Sequence, residues 1–399
     1  MKWVGIGLVF LSVTGSALAV DPASPESSGK RRWIALYAPP LRVALKPLSE
    51  RRRRAGYEVE EVVATAESLP RITERIEELK KSPRPGDCVV IVGALAAARD
   101  QSSDCVLDLW KGSRGRMAGR PADNRLGLDS ATGLPSLTVW RLPAASPDEL
   151  ATMVGKIAAY EDQGNVSNGR ILCITGNPMP GNEESKMANS FIIAEAREMQ
   201  AKLDPAWQLS GVADVAGHPF ASAHEEFRTR VRESLQLPWE VLAVFGHSGP
   251  DGLWSKDAFS LTESDWQGLK QAGTRGIFFC CGCFGMAHQS AYEVAAVRSP
   301  AGPVAAIGAS GESWSAMGFL AGNGLAACFA KAEGPATVGE WWRSVQAGLA
   351  AGAISPLKFV AFDQVDGTKG KVPLKDQRLE HLEMWSLLGD PATVMPKAP

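Results

Sequence analysis

The chain has 399 residues, of which 45% are hydrophobic and 22% charged, with a formal net charge of −2. That length allows two ordinary domains or one large one with a core that needs no disulfide staples. The balanced charge excludes the global basic field with which proteins attract nucleic acid, and seven cysteines, an odd number, exclude a fully paired disulfide scaffold within one chain.

The N-terminus reads as a signal peptide over residues 1–19. Lys2 supplies a positive start, Val4 to Val13 is mostly apolar, and Ala17-Leu18-Ala19 is a small-x-small cleavage site. The apolar stretch is short for a span, which needs about 20 residues, so an uncleaved anchor is the minor alternative. The expectation is a secreted protein, extracellular or periplasmic, with no membrane span after cleavage. Residues 20–31 are polar and rich in Ser and Pro, and read as a linker.

A β–α–β pattern follows. Trp33 to Tyr37 is a short apolar run ended by Pro39-Pro40. Leu41 to Ala55 reads as a helix that Pro47 must kink or delay. The dense basic block Arg51–Arg54 falls late in this helix and reads as a solvated face, where cations are favoured. Tyr57 to Val63 alternates like a strand. Ser68-Leu69-Pro70 opens a helix whose Ile72, Ile76 and Leu79 share one face. Cys88 to Val92 is a continuous apolar run, the mark of a strand covered on both faces. After loop-rich residues 94–135 come a strand at Leu137–Trp140 and a helix at Pro147–Tyr160. The polar stretch Asp162–Gly169 suggests a boundary and contains a glycosylation sequon at Asn165.

The second half repeats the pattern. Strands are expected at Arg170–Thr175, Val241–Phe245, Gly276–Cys281 and Val304–Gly308. Helices are expected at Ser190–Leu203, Thr262–Gly273 and Ala291–Val297, and Trp341-Trp342 reads as core. Strands alternating with helices imply an α/β fold with mostly parallel sheets in two side-by-side subdomains, residues 32–162 and 168–395.

Sites in such folds sit beyond the C-terminal ends of parallel strands. Two strand ends carry competent residues: Val-Leu-Ala-Val-Phe-Gly246-His247-Ser248-Gly249 and Gly-Ile-Phe-Phe-Cys280-Cys281-Gly282-Cys283. A thiolate is a strong nucleophile, and an imidazole beside it favours its formation and can protonate a leaving amine. The flanking glycines let backbone N–H groups approach a substrate carbonyl as an oxyanion hole. Against this stand a structural histidine and an inert buried thiol. A metal site is disfavoured, because Cys280, Cys281 and Cys283 have poor spacing for one tetrahedral centre and no second Cys/His cluster completes it. His218, His224, His288 and His381 fall in no such pattern and read as structural or surface residues.

Several segments, taken in order, resemble the gingipain-type cysteine peptidases, relatives of caspases and legumains. These are WIALYAPPLRVALKPLSERRRRAGYEVEEV, DCVVIVGAL, the Arg-Leu-Pro-Ala segment with its following helix, FGHSGPDGLW, FFCCGCF, GPVAAIGASGESW and SLLGDPAT. The resemblance spans about residues 33 to 393 and implies a caspase-like three-layer fold. It implies a catalytic imidazole at His247 and a nucleophile at Cys280, with Cys281 the alternative and Cys283 third. It also implies oxyanion donors at Ser248 or Gly249, and Trp314 lining the pocket for the residue before the cut bond. The activity so implied is secreted endopeptidase chemistry on protein or peptide substrates through a thioester acyl-enzyme. An inactive binding or assembly module, or a transpeptidase using the same dyad, are the alternatives. No cofactor is required, although calcium is found in relatives and the acidic loops would suit it. The adjacent Cys280 and Cys281 raise the further idea of a vicinal disulfide.

Overall fold

The computed structural model describes residues 30–96, 104–163, 169–177, 183–255, 258–270, 275–330 and 335–395. The signal-peptide reading, the sequon and most of the boundary at 162–169 lie outside them.

The first half builds β1 (Arg32–Tyr37), α1 (Arg42–Arg54), β2 (Glu58–Val63), α2 (Leu69–Lys81), β3 (Cys88–Val92), β4 (Thr138–Leu142) and α3 (Pro147–Asp162). Each forms where the pattern places it. Every residue of β3 is buried, as its unbroken apolar run requires, and Ile72, Ile76 and Leu79 are the buried residues of α2. Helix α3 starts with Pro147 at its first position, and the Ser146 hydroxyl accepts from Glu149 N at 3.2 Å. Of the two effects expected of Pro47, a delayed start is absent: α1 begins at Arg42 and runs through the proline. One expectation fails in this half: the basic block is not a uniformly solvated face. Arg52 is 1% exposed, and its guanidinium bonds Asp390 at 2.7 Å and Glu161 at 2.7 and 3.1 Å. Its neighbour Arg51 binds Glu161 and Asp162, whereas Arg53 and Arg54 are exposed. On a helix only one residue in three or four faces inward, and Arg52 extends the buried stripe of Leu45 and Leu48.

The second half builds β5 (Arg170–Thr175), α4 (Glu183–Lys202), β6 (Gln208–Ala213), α5 (His224–Gln236), β7 (Val241–Phe245), β8 (Ser248–Gly249), β9 (Gly252–Ser255), β10 (Ala258–Thr262), α6 (Glu263–Gln267), β11 (Arg275–Cys281), α7 (Tyr292–Arg298) and β12 (Pro303–Ala309). It closes with α8 (Ser315–Cys328), α9 (Val338–Ala351), α10 (Pro356–Val365), α11 (Leu374–Met384) and β13 (Trp385–Leu388). Helix α4 begins seven residues before the expected start. Helix α6 is shorter than expected: a Thr262/Asp265 capping box opens it and Gly268 caps it.

Ten strands form one sheet in the order β2-β1-β3-β4-β13-β12-β11-β7-β5-β6. Both halves are internally parallel. Strand β13 runs parallel to β4 and antiparallel to β12, so the two parallel blocks point in opposite directions and meet at β13. This is a mixed α/β, caspase-like arrangement. In the second block, α5, α6 and α7 bury their apolar faces with Leu242, Val244, Phe278 and Cys280 on one side of the sheet. On the other side α8 and α9, including the fully buried Trp341 and Trp342, pack with Val241, Ala243, Ile277 and Phe279. Strand side chains alternate between the two faces, and that alternation decides the site.

The Leu-Gly-Asp-Pro segment has a physical role here. Asp390, fully buried, accepts from Arg52 of α1, from Trp33 Nε1 of β1 at 3.0 Å and from Ala392 N at 3.0 Å. One carboxylate therefore ties the C-terminal turn to the opening strand and helix. Among the described residues no single helix is long and apolar enough to cross a membrane.

Candidate active site

Strands β7 and β11 are parallel neighbours, with Phe245 opposite Cys281 in register. His247 lies two residues beyond Phe245, on the same face by the period of two. Gly246 joins them at φ +139, and an added Cβ there would come within 3.3 Å of the Gly176 backbone, so the close approach of the β5 and β7 ends needs glycine. Strand β12 flanks β11 on its other side and delivers Glu312, Ser313 and Trp314. All three loops leave the C-terminal rim of the same parallel block.

Phe245, His247, Cys281, Cys283, Glu312 and Trp314 line one cavity of about 240 Å³. A closed apolar cavity of about 150 Å³ takes benzene, so this one is large enough for a side chain. His247 is exposed at its rim. Desolvation holds its pKa below the ordinary value, and the charge of Glu312 pulls partly the other way. Cys281 is half-buried, and its Sγ lies 3.6 Å from Gly318 O. Burial first, then the nearby Glu195, pushes this thiol well above its ordinary pKa. Cys283 accepts from Ser313 N at 3.4 Å and is pushed up to about 11, again chiefly by burial.

Cys280, the residue placed first as nucleophile, does not line the cavity. It is 0% exposed on the opposite face of β11, with Sγ 3.0 Å from Tyr292 Oη of α7. Burial and the adjacent Glu293 raise its pKa well above the ordinary value. The cause is alternation: neighbours on a strand cannot share a face, so only one of Cys280 and Cys281 can meet His247. The same geometry opposes a vicinal disulfide, and Cys280 and Cys281 are both free thiols.

Ser248 binds the two loops together. Its hydroxyl donates to Cys283 O at 2.8 Å, and a Cβ on Gly282 would fall 2.1 Å from that hydroxyl oxygen. Glycine between the two thiols is thus required by the serine of the histidine loop. Ser248 and Gly249 form β8, paired with Leu253 and Gly252 of β9, which fixes the backbone just after His247. Phe284, next after Cys283, holds φ +59, an uncommon conformation for a non-glycine residue that accumulates at functional sites.

Trp314 is 3% exposed and held from behind. Its Nε1 donates to Glu380 at 2.9 Å and its backbone N to His381 Nε2 at 3.3 Å. His381 is fully buried, and burial pushes its pKa down to about 3, which keeps that nitrogen an acceptor. The structural reading of His381 thus becomes a supporting one, one layer behind the cavity.

Sequence reasoning missed the acidic and aromatic lining. Glu195 of α4 lines the cavity at 8% exposure, and its Oε2 has no hydrogen-bond partner among the described residues. Burial pushes it up to about 8. The signal was present: Phe191, Glu195 and Met199 stand at i, i+4 and i+8, which puts a carboxylate inside an apolar stripe. Asp366, bonded by Ser315 through N (3.0 Å) and Oγ (2.6 Å), is pushed up to about 6 by burial. Phe191, Phe319 and Phe362 cluster at one wall, with ring centroids 4.5 and 5.6 Å apart. Among the described residues no group of three or more His, Cys, Asp or Glu is arranged to hold a metal.

The loop order and the family match together define a cysteine-type peptidase. The chain belongs to peptidase family C25, whose model matches residues 27–396. Among solved structures it is similar to the Arg-specific cysteine proteinase gingipain R, with a TM-score of 0.65 at 15% identity over 94% of this chain and 80% of that one. It is also similar to a complex of the pro- and mature domains of RgpB from Porphyromonas gingivalis, with a TM-score of 0.63 at 14% identity over 92% and 80% of the two chains. At these identities the likeness is one of fold. No curated protein matches the chain.

Proposed function

We propose that the protein is a secreted endopeptidase in which Cys281 is the nucleophile and His247 the general acid and base. The observation that carries this reading is that Cys281, and not Cys280, shares the cavity with His247 and Trp314. Burial of the thiol, and partial desolvation of the imidazole at the rim, favour the neutral forms of both before substrate arrives. His247 therefore takes the Cys281 proton as the sulfur attacks the substrate carbonyl. The oxyanion is met by the backbone N–H of Cys281 and one from Ser248 or Gly249. The imidazolium then gives its proton to the leaving amine, the C–N bond breaks and a thioester remains. Water, deprotonated by His247, attacks the thioester, releases the acid and restores the thiol.

Glu195 supports a basic side chain before the cut bond. A buried carboxyl without a partner is costly, and an incoming guanidinium or ammonium would ionise and pair it. The similar gingipain R is described as Arg-specific. Export belongs to the same reading and rests on residues 1–19; N-terminal sequencing of protein recovered outside the cell would begin near Val20 if it is right.

The test is to treat the reduced protein with an arginyl thiol-reactive peptide probe and locate the adduct by mass spectrometry. The expected result is one adduct on Cys281 that disappears in His247→Ala. An adduct on Cys280, or none on any thiol, would sink the assignment.

A further inference from the structure

The cavity already contains a cation. Arg116 comes from the first half of the chain, on the turn Gly115–Met117 within the long connection between β3 and β4. Its guanidinium lies 3.6 Å from the centroid of the Trp314 ring and bonds Glu312 at 3.1 Å. It lines the same cavity as Cys281 and His247, and its side chain is 24% exposed. Nor is it a loose surface arginine that happens to fold inward. The Arg116 backbone N donates to Glu380, whose other oxygen accepts from Trp314 Nε1, so one carboxylate fixes both the arginine and the ring beneath it. Arg116 O in turn accepts from Arg120 Nε at 3.2 Å.

An aromatic face beside a carboxylate is what recognises a guanidinium or ammonium group. Here the face and the carboxylate are both taken by the chain itself. We propose that Arg116 is a specificity-determining residue that acts by competition: it occupies the Trp314 face and Glu312, and so weakens the binding of a basic guest that would otherwise lie there. The guest must either displace Arg116 or pass beneath it toward Glu195. A neutral guest of the same shape would gain neither the cation–π contact nor the ion pair there, so it loses little to Arg116. Arg116 thereby narrows the difference in affinity between basic and neutral side chains.

The part of this that concerns substrate turnover rests on the peptidase reading; the binding part does not. The experiment therefore uses Cys281→Ala protein, titrated calorimetrically with benzamidine and with its neutral counterpart benzamide. Arg116→Ala in that background is expected to bind benzamidine about five- to thirty-fold more tightly, from the released cation–π and ion-pair contacts, with benzamide unchanged. Arg116→Lys, which keeps a cation over the ring, should stay near the parent affinity. If Arg116→Ala does not fold, Arg116→Gln keeps the stem and removes the charge, and is read in its place. Unchanged or weaker benzamidine binding in the folded variant, or an equal gain for benzamide, would overturn the proposal. With active protein, the ratio of kcat/KM for arginine over citrulline before the cut should rise in Arg116→Ala. A protein that cuts neither peptide would refute the peptidase reading while leaving the calorimetric result intact.

Discussion

Replacing Arg52 by alanine removes a buried cation and leaves two carboxylates facing each other without it. Asp390 is 0% exposed and the Glu161 side chain 5%, and three guanidinium contacts of 2.7, 2.7 and 3.1 Å hold them. Breaking a buried pair from one side costs about 3–5 kcal/mol, because the remaining charge is stranded. Trp33 Nε1 and Ala392 N still donate to Asp390, so the lower half of that range is the better expectation. Unfolding entropy of about 2.1 cal/mol/K per residue, over the roughly 370 residues of the family match, gives about 0.8 kcal/mol/K. The variant should therefore melt about 4–5 °C lower in a reversible thermal scan. Arg53→Ala is the control, since Arg53 is exposed and its ion pair is with the surface Glu61 at 3.1 Å. A fall of less than about 1 °C for Arg52→Ala, or the same fall for both variants, would refute the claim that this network joins the C-terminal turn to the first helix.

Cys280→Ala should keep peptidase activity within about two-fold while losing about 1–2 kcal/mol of stability from the vacated space beside Tyr292, whereas Cys281→Ala should abolish turnover with little change in melting. Activity assays and thermal scans on the pair decide it, and the reverse pattern would restore Cys280. Glu195→Gln should raise KM for an arginyl peptide about ten-fold or more and leave a citrullinyl peptide unaffected. Because Glu195 is pushed up to about 8, a basic guest must ionise it on binding, so KM for the arginyl peptide should fall as pH rises from 6 to 8 and then level. A citrullinyl peptide should show no such slope; parallel profiles would remove Glu195 from recognition. Ser248→Ala should cost about 1 kcal/mol of loop anchoring, read as a several-fold loss in kcat/KM; unchanged kinetics would make the Ser248–Cys283 bond incidental.

The inner strands of the sheet were plain in the sequence because they are apolar on both faces: β3, β5, β7, β11 and β12 all announce themselves. Strand β6, with its Gln208-Leu-Ser-Gly start, is an edge strand and carries no such signal. Strand β13 is four residues long and was read only as part of a closing motif. Helix α8 is so uniformly small and apolar that it has no periodicity to find. His247 was legible from its place after a strand and from the family resemblance. The choice between Cys280 and Cys281 was not, because alternation tells that adjacent residues face apart but not which face carries the pocket. That requires the register of β7 against β11, which no local pattern encodes. The inward Arg52 was missed for a related reason. Four consecutive arginines look alike until Asp390, 338 residues away, selects one of them.

The position of β13 has a consequence for how the chain acquires its shape. The last strand of the sheet in chain order sits at its middle, between β4 and β12. During synthesis both parallel blocks are made before the segment that joins them, so each waits with an open edge until residues 385–388 emerge. Closure at such long sequence separation is slow, and open edges invite wrong partners in the interval. Trp314 and its supports Glu380 and His381 straddle the same interval. The pocket is therefore completed only with the segment that closes the sheet, and maturation of the site is coupled to the joining of the two blocks.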